Sequence, residues 1–162
     1  MESSQDFLSK DGLDRFVQIV HIGYLNKVFS WSGHQFEIRT LRIDEELAVG
    51  QLVKEYKDTI AEEKAVAVAI AAASIVSINE KPFMPRFDDD AILQSIRDRF
   101  NYIRKNWHWP VIEIINAQYL DLLNEVYMTI EESQNLSIAD LRNSNSSSDP
   151  LIEQDLSKIQ NT

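Results

Sequence analysis

The sequence predicts an α+β fold that is predominantly helical, with an N-terminal β-hairpin followed by a four-helix body. Three observations predict it. Strand-like alternation before residue 41 gives way to helical periodicity after residue 44. An alanine-rich run from Ala65 to Val76 is interrupted only by Ser74, and small side chains on every face suit a central helix. Hydrophobic residues make up 44% of the 162 residues, and there is no cysteine, so one apolar core without disulfides has to hold the chain together. The expected organisation is a flexible lead-in over 1–15, a single folded domain over 16–135, and a polar flexible tail over 136–162. In that tail Leu151, Ile152, Leu156 and Ile159 give one apolar edge for a short helix after Pro150.

The β segment comes first. "RFVQIVHIGYL" is rich in strand-forming residues, with a bend expected at Gly23. "KVFSWSGHQFEIRTL" reads as a hairpin that turns at Ser32-Gly33, where glycine accepts a positive φ. Phe36, Ile38 and Thr40 alternate with Glu37 and Arg39, the pattern of a half-buried strand.

Four helices follow. The first runs from Asp44 to about Lys57. Asp44, Glu45 and Glu46 favour its N-terminus, and Leu47, Leu52 and Tyr56 mark its apolar side, broadened by Val49 and Val53. Thr59 and Glu62 have capping-box spacing for a second, buried helix over roughly 60–77. Ala65 to Ile78 gives only about 21 Å of helix, well short of the roughly 20 apolar residues of a membrane span. Its end, "SIVSI", can continue the helix or leave it, and "NEKP" reads as a turn. A third helix, roughly 89–105, carries Ile92, Ile96, Phe100 and Ile103 on one stripe, with Asp88, Asp89 and Asp90 as cap and first-turn charge. A fourth starts near Pro110 and runs to about residue 133. Ile112, Ile115, Tyr119, Leu122 or Leu123, Val126 and Ile130 face inward, while Glu113, Asn116, Asp121 and Glu125 face water. Trp107 and Trp109 read as core anchors, with an interface patch as the alternative.

Composition narrows function by class. The net charge of −10 and pI of about 4.7 disfavour nucleic acid and anionic lipid as partners. The densest basic group, Arg97, Arg99, Arg104 and Lys105, has Asp98 among it and reads as a solvated helix face, with a small basic patch for an acidic protein partner as the alternative. The opening "MESSQDFLSKDG" is polar and acidic, unlike a secretory leader. Asp88, Asp89 and Asp90 lack the glycine and glutamate of a calcium loop. His21, His34 and His108 have no zinc-ligand spacing, and four scattered glycines build no phosphate-cradling loop. Glu62-Glu63 and Glu131-Glu132 lack the pattern of a di-iron bundle. No catalytic, cofactor-binding or metal-ligating residue is assigned, no cofactor is expected, and the expectation is a protein that is not an enzyme.

The stretch "GHQFEIRTLRIDEELAVGQLVKEYKDTIAEEKAVAVAIAAASIVSINEKPF", from Gly33 to Phe83, resembles tail assembly chaperones of long-tailed bacteriophages and related prophages. "FEIRTL" with "DEEL", and the alanine-rich "EEKAVAVAIAAASIVSIN" ending in "KPF", carry the resemblance. It covers a third of the chain well. The resemblance implies a protein of the host cytoplasm that binds the tape measure protein, a long aggregation-prone helical chain, while tail tube subunits assemble around it. Tube subunits and a second copy of the chain are further partners that this reading admits. Nucleic acid and membrane are not among them. Such chaperones are usually absent from the finished virion, and a frameshift often yields a longer form. The resemblance assigns no binding residue by number. The alternative expectation is a structural virion component at the tail or the head–tail junction.

Overall fold

The computed structural model describes residues 23–84 and 91–146, with side chains described as far as Glu131. Strand β1 (Asn26–Trp31) and strand β2 (His34–Arg39) form the expected antiparallel hairpin. Ser32 and Gly33 turn it, with φ of 50° and 78°. Two consecutive positive values make the two-residue turn whose twist suits a tight hairpin. Phe36, Ile38 and Thr40 are buried against the helices, as their alternation predicts, while Glu37 and Arg39 are half-buried on the opposite side. Phe29 stacks on Phe36 with ring centroids 5.3 Å apart, which adds a cross-strand aromatic pair to the ladder.

Helix α1 (Ile43–Val53) ends in a 3₁₀ turn over Lys54–Tyr56. Its buried side chains are Glu45, Ala48, Val49 and Leu52. Leu47, expected on the apolar side, is 64% exposed. The helix is rotated away from the simplest apolar stripe because the buried Glu45 occupies a place on its inner face.

Helix α2 (Glu62–Ser74) is the centre of the body and packs against α1 and against the two later helices. Ala69, Ala71, Ala72 and Ala73 have no exposed surface. With only methyl groups on these positions, neighbouring backbones come close on several sides. The capping box expected between Thr59 and Glu62 does not form. The Glu62 carboxylate instead accepts the Asp58 N–H at 2.9 Å, and the Thr59 hydroxyl accepts the Ala61 N–H at 3.3 Å. Asp58 sits at φ 61°, so the chain bends before the helix and moves Thr59 out of the capping position.

The expected helix over 60–77 is corrected at its C-terminal end. Strand β3 (Ile75–Ile78) begins at the residue after Ser74, pairs antiparallel with β2, and shows a register shift opposite Glu37 and Ile38. Strand β4 (Lys81–Pro82) then completes a sheet of order β1-β2-β3-β4. Asn79 and Glu80 form the turn between them, both at positive φ. Asn79 also extends the β2–β3 ladder, since its N–H donates to the Gln35 carbonyl at 2.7 Å and its side-chain oxygen accepts the Gln35 N–H at 2.8 Å. The β-branched run "IVSI" fits a pleated surface better than a helix once a partner strand is beside it.

Helix α3 (Ile92–Asn106) buries Ile96, Arg99, Phe100 and Ile103. Helix α4 (Trp109–Ser146) buries Ile112, Ile115, Tyr119 and Leu122, and its helical backbone continues past the expected end near residue 133. Asn116, expected to face water, is half-buried and donates to the Ala67 carbonyl at 2.9 Å, bridging α4 to α2. Trp107 and Trp109 both pack against the core, and Trp107 lies 5.3 Å from the Phe83 ring. The lead-in over 1–15, the strand residues before Gly23, Asp88 to Asp90, His21 and the segment after Pro150 lie outside the described residues.

Because α2 is surrounded, added volume has nowhere to go. Ala69→Leu and Ala72→Leu are each expected to destabilise the fold by about 1–3 kcal/mol. Thermal melts should drop by several degrees relative to a surface control such as Ala117→Leu. Parent-like melting of both variants would remove α2 from the centre of the core.

Candidate functional site

Two surfaces have the form of a site. The first is a cleft of about 1200 Å³ over the Glu37 and Arg39 side of the sheet, bordered by Tyr24, Glu37, Arg39, Arg42, Ser77 and Arg99. Arg39 and Glu45 hold each other within it. Glu45 is wholly buried, and Arg39 donates to both of its carboxylate oxygens, Nη1 to Oε2 at 2.9 Å. The same carboxylate accepts the Arg42 backbone N–H at 2.9 Å, which satisfies a donor at the start of α1. The Arg39 guanidinium also lies 4.9 Å from the centre of the Tyr24 ring. Glu37 accepts from the Ser77 hydroxyl at 2.9 Å. The Arg39–Glu45 pair therefore fastens β2 to α1, and the Ser77–Glu37 bond fastens β3 to β2.

Arg99, expected on a solvated face, is 4% exposed. It reaches from α3 to the end of α2, where its Nη1 donates to the Ala72 carbonyl at 3.3 Å and the Ile75 carbonyl at 2.9 Å. These are carbonyls that a terminating helix leaves without an intrahelical partner. Burial, and then the like charge of Arg39, pull Arg99 down to about 10, with Glu45 acting the other way. The side chain stays charged at neutral pH. Phe83 lies beneath it at 5.4 Å and also meets Tyr102 and Trp107. No spacing rule could have singled out Arg99 or Glu45. The one available signal was that each falls in register with apolar neighbours, Glu45 with Ala48, Val49 and Leu52, and Arg99 with Ile96 and Ile103.

The second surface is the outer side of α4. Leu120, Tyr127 and Met128 are 59%, 65% and 57% exposed. Residues 127 and 128 lie seven and eight positions beyond 120, about two turns along the same side. The inner side of the same helix is filled by Ile112, Ile115, Tyr119 and Leu122. Thus α4 has apolar residues both inside and outside, beyond what its own core requires. Leu123, half-buried, joins the two sides.

Among the described residues, those weighed for chemistry do not converge. His34 sits at the β-hairpin turn beside the Asn79 amide, with 3.0 Å between Nδ1 and Nδ2, while His108 is exposed between α3 and α4. Among the described residues no group of three His, Cys, Asp or Glu is placed to hold a metal ion. Of the basic group, Arg104 meets the Tyr56 hydroxyl at 3.2 Å and lies near Phe100, so only part of that group faces water alone. No helix among the described residues is long and apolar enough to cross a membrane. No protein-family model matches the chain, and neither the curated proteins nor the solved structures include a match.

Two measurements check this account. Glu45→Ala removes the partner of a buried guanidinium and is expected to cost about 3–5 kcal/mol in chemical denaturation. A loss below about 1 kcal/mol would mean that the pair is solvated. Tyr119 supplies a pH test. Burial, with Glu46 and Glu45 nearby, pushes its phenol up to about 12, against a backbone hydrogen bond from Leu41 that lowers it. The neutral phenol is the form the fold prefers. Its contribution is complete below the unfolded value near 10 and is lost as pH rises through about 12. Relative to Tyr119→Phe, the parent should lose stability between these values, and phenolate absorbance should show one late-ionising tyrosine.

Proposed function

We propose that this chain is an assembly chaperone that covers an apolar helical client, and that the client is the tape measure protein of a long-tailed phage. The outer side of α4 carries the reading: Leu120, Tyr127 and Met128 stand exposed on a helix whose inner side is already packed. An exposed apolar row on a rigid helix is a surface for a second helix, which docks by interleaving its side chains along the row. The client class comes from the resemblance of Gly33–Phe83 to tail assembly chaperones. The order of a β segment before a helical body agrees with it, and the net charge of −10 favours a soluble complex with an aggregation-prone client.

The mechanism is binding without chemistry. The sheet and its buried Arg39–Glu45 pair fix α1, α2 supports α4 from within, and α4 presents its outer row to the client during tube assembly in the host cytoplasm. Tail tube subunits then displace the chaperone as they enclose the client.

Co-expression with each neighbouring tail gene tests this. The tape measure protein should co-purify with the chain and be recovered in larger soluble amount. The variant Leu120→Glu/Tyr127→Glu should lose capture by at least about tenfold while melting like the parent, because both sites are exposed. Purified mature particles should lack the chain. Stable incorporation into particles without tape measure binding would establish the structural-component alternative instead.

A further inference from the structure

The outer side of α4 has a charge pattern that narrows what can lie on it. Glu113 and Glu131 are exposed and stand at the two ends of the row that holds Leu120, Tyr127 and Met128. Ala117 and Asn124, also exposed, fill the intervening turns at spacings of three and four. Eighteen residues of helix separate the two glutamates, a distance of about 27 Å. Neither glutamate forms an ion pair among the described residues. From Trp109 to Glu131 there is no Lys or Arg, and the next one along the chain is Arg142. The other two acids of this stretch, Asp121 and Glu125, point to the flank, where Lys27 of β1 lies 3.8 Å and 3.9 Å away.

We infer that this side of α4 takes an amphipathic helix whose apolar row is bounded at both ends by Lys or Arg, spaced to meet Glu113 and Glu131. The inference rests on the outer side of α4 being the client surface. Charge selects the occupant. A second copy of this chain would set Glu113 and Glu131 against the same two residues, whether the helices ran parallel or antiparallel, and the contacts would repel in both cases. An acidic helix meets the same objection. A basic-ended helix gains a pair at each end, and the apolar row between them sets the register.

The test uses the full chain and two designed helical peptides. The peptides share one apolar row and differ only at two end positions, spaced as Glu113 and Glu131 are, with Lys in one and Glu in the other. Fluorescence anisotropy at low salt should give about five- to tenfold tighter binding of the Lys peptide. The difference should shrink as salt rises from about 0.05 to about 0.5 M. Glu113→Lys/Glu131→Lys should reverse the preference and leave the melting temperature unchanged. Equal binding of the two peptides overturns the inference. So does concentration-dependent self-association that Leu120→Glu abolishes, since this assigns the surface to a second copy. The Lys preference without capture of the tape measure protein removes the client named above and leaves the inference. Capture without a Lys preference does the reverse.

Discussion

The end of α2 at Ser74 governs the rest of the fold. A helix rich in alanine has no internal reason to stop there, and three of the next four residues are apolar as well. What makes the stop tolerable is a cation from another element: Arg99 of α3 donates to the carbonyls of Ala72 and Ile75 in a buried site. With those two carbonyls satisfied, the chain can leave the helix inside the core, where the Ser74 hydroxyl is the polar group at this end that finds no partner among the described residues. Ile75 to Ile78 can then extend along β2, and the hairpin becomes a four-stranded sheet. Beyond β4, Phe83 lies against Arg99 and packs on Trp107.

Charge inside this acidic protein is used for joining elements. Glu45 links β2 to the first turn of α1 through Arg39 and the Arg42 amide, and Arg99 links α3 to α2. A buried carboxylate or guanidinium is tolerated only with partners in good geometry, so these residues constrain where the helices sit as well as holding them. This explains why the cleft beside the sheet is polar. Arg39 and Glu45 face each other there at hydrogen-bond distance, Glu37 accepts from Ser77, and Arg99 is turned to backbone carbonyls. By contrast, the outer side of α4 holds apolar groups left more than half exposed, and that difference separates a structural cluster from a surface suited to a partner.

The architecture is arranged around that surface. Ala69, Ala71, Ala72 and Ala73 let three helices crowd α2, which places α4 firmly on the body through Ile112, Ile115, Tyr119 and Leu122. A rigid mount lowers the ordering cost of an association, because the row is already formed before the partner arrives. Asn116 adds a bond from α4 to the backbone of α2, and Lys27 ties the flank of α4 to β1. The exposed row therefore projects from a helix held on two sides.

Local rules made much of this legible. The Ser32-Gly33 turn, the alternation of Phe36, Ile38 and Thr40, the stripe of Ile96, Phe100 and Ile103, and the inward row of α4 all follow from periods of two and 3.6 acting on adjacent residues. The alanine run announced a central helix for the same reason. Tertiary structure alone decided the rest. Whether Ile75 to Ile78 were helix or strand depended on β2 lying beside them and on Arg99 reaching their neighbours' carbonyls, both distant in sequence. Glu45 and Arg99 read as surface charges because a charge is buried only when a partner arrives from elsewhere in the chain, and sequence spacing does not reveal that arrival. Which side of α4 remained uncovered was likewise settled by packing: both sides carry apolar residues, and only contact with α2 and the sheet distinguishes the one that became core from the one left to water.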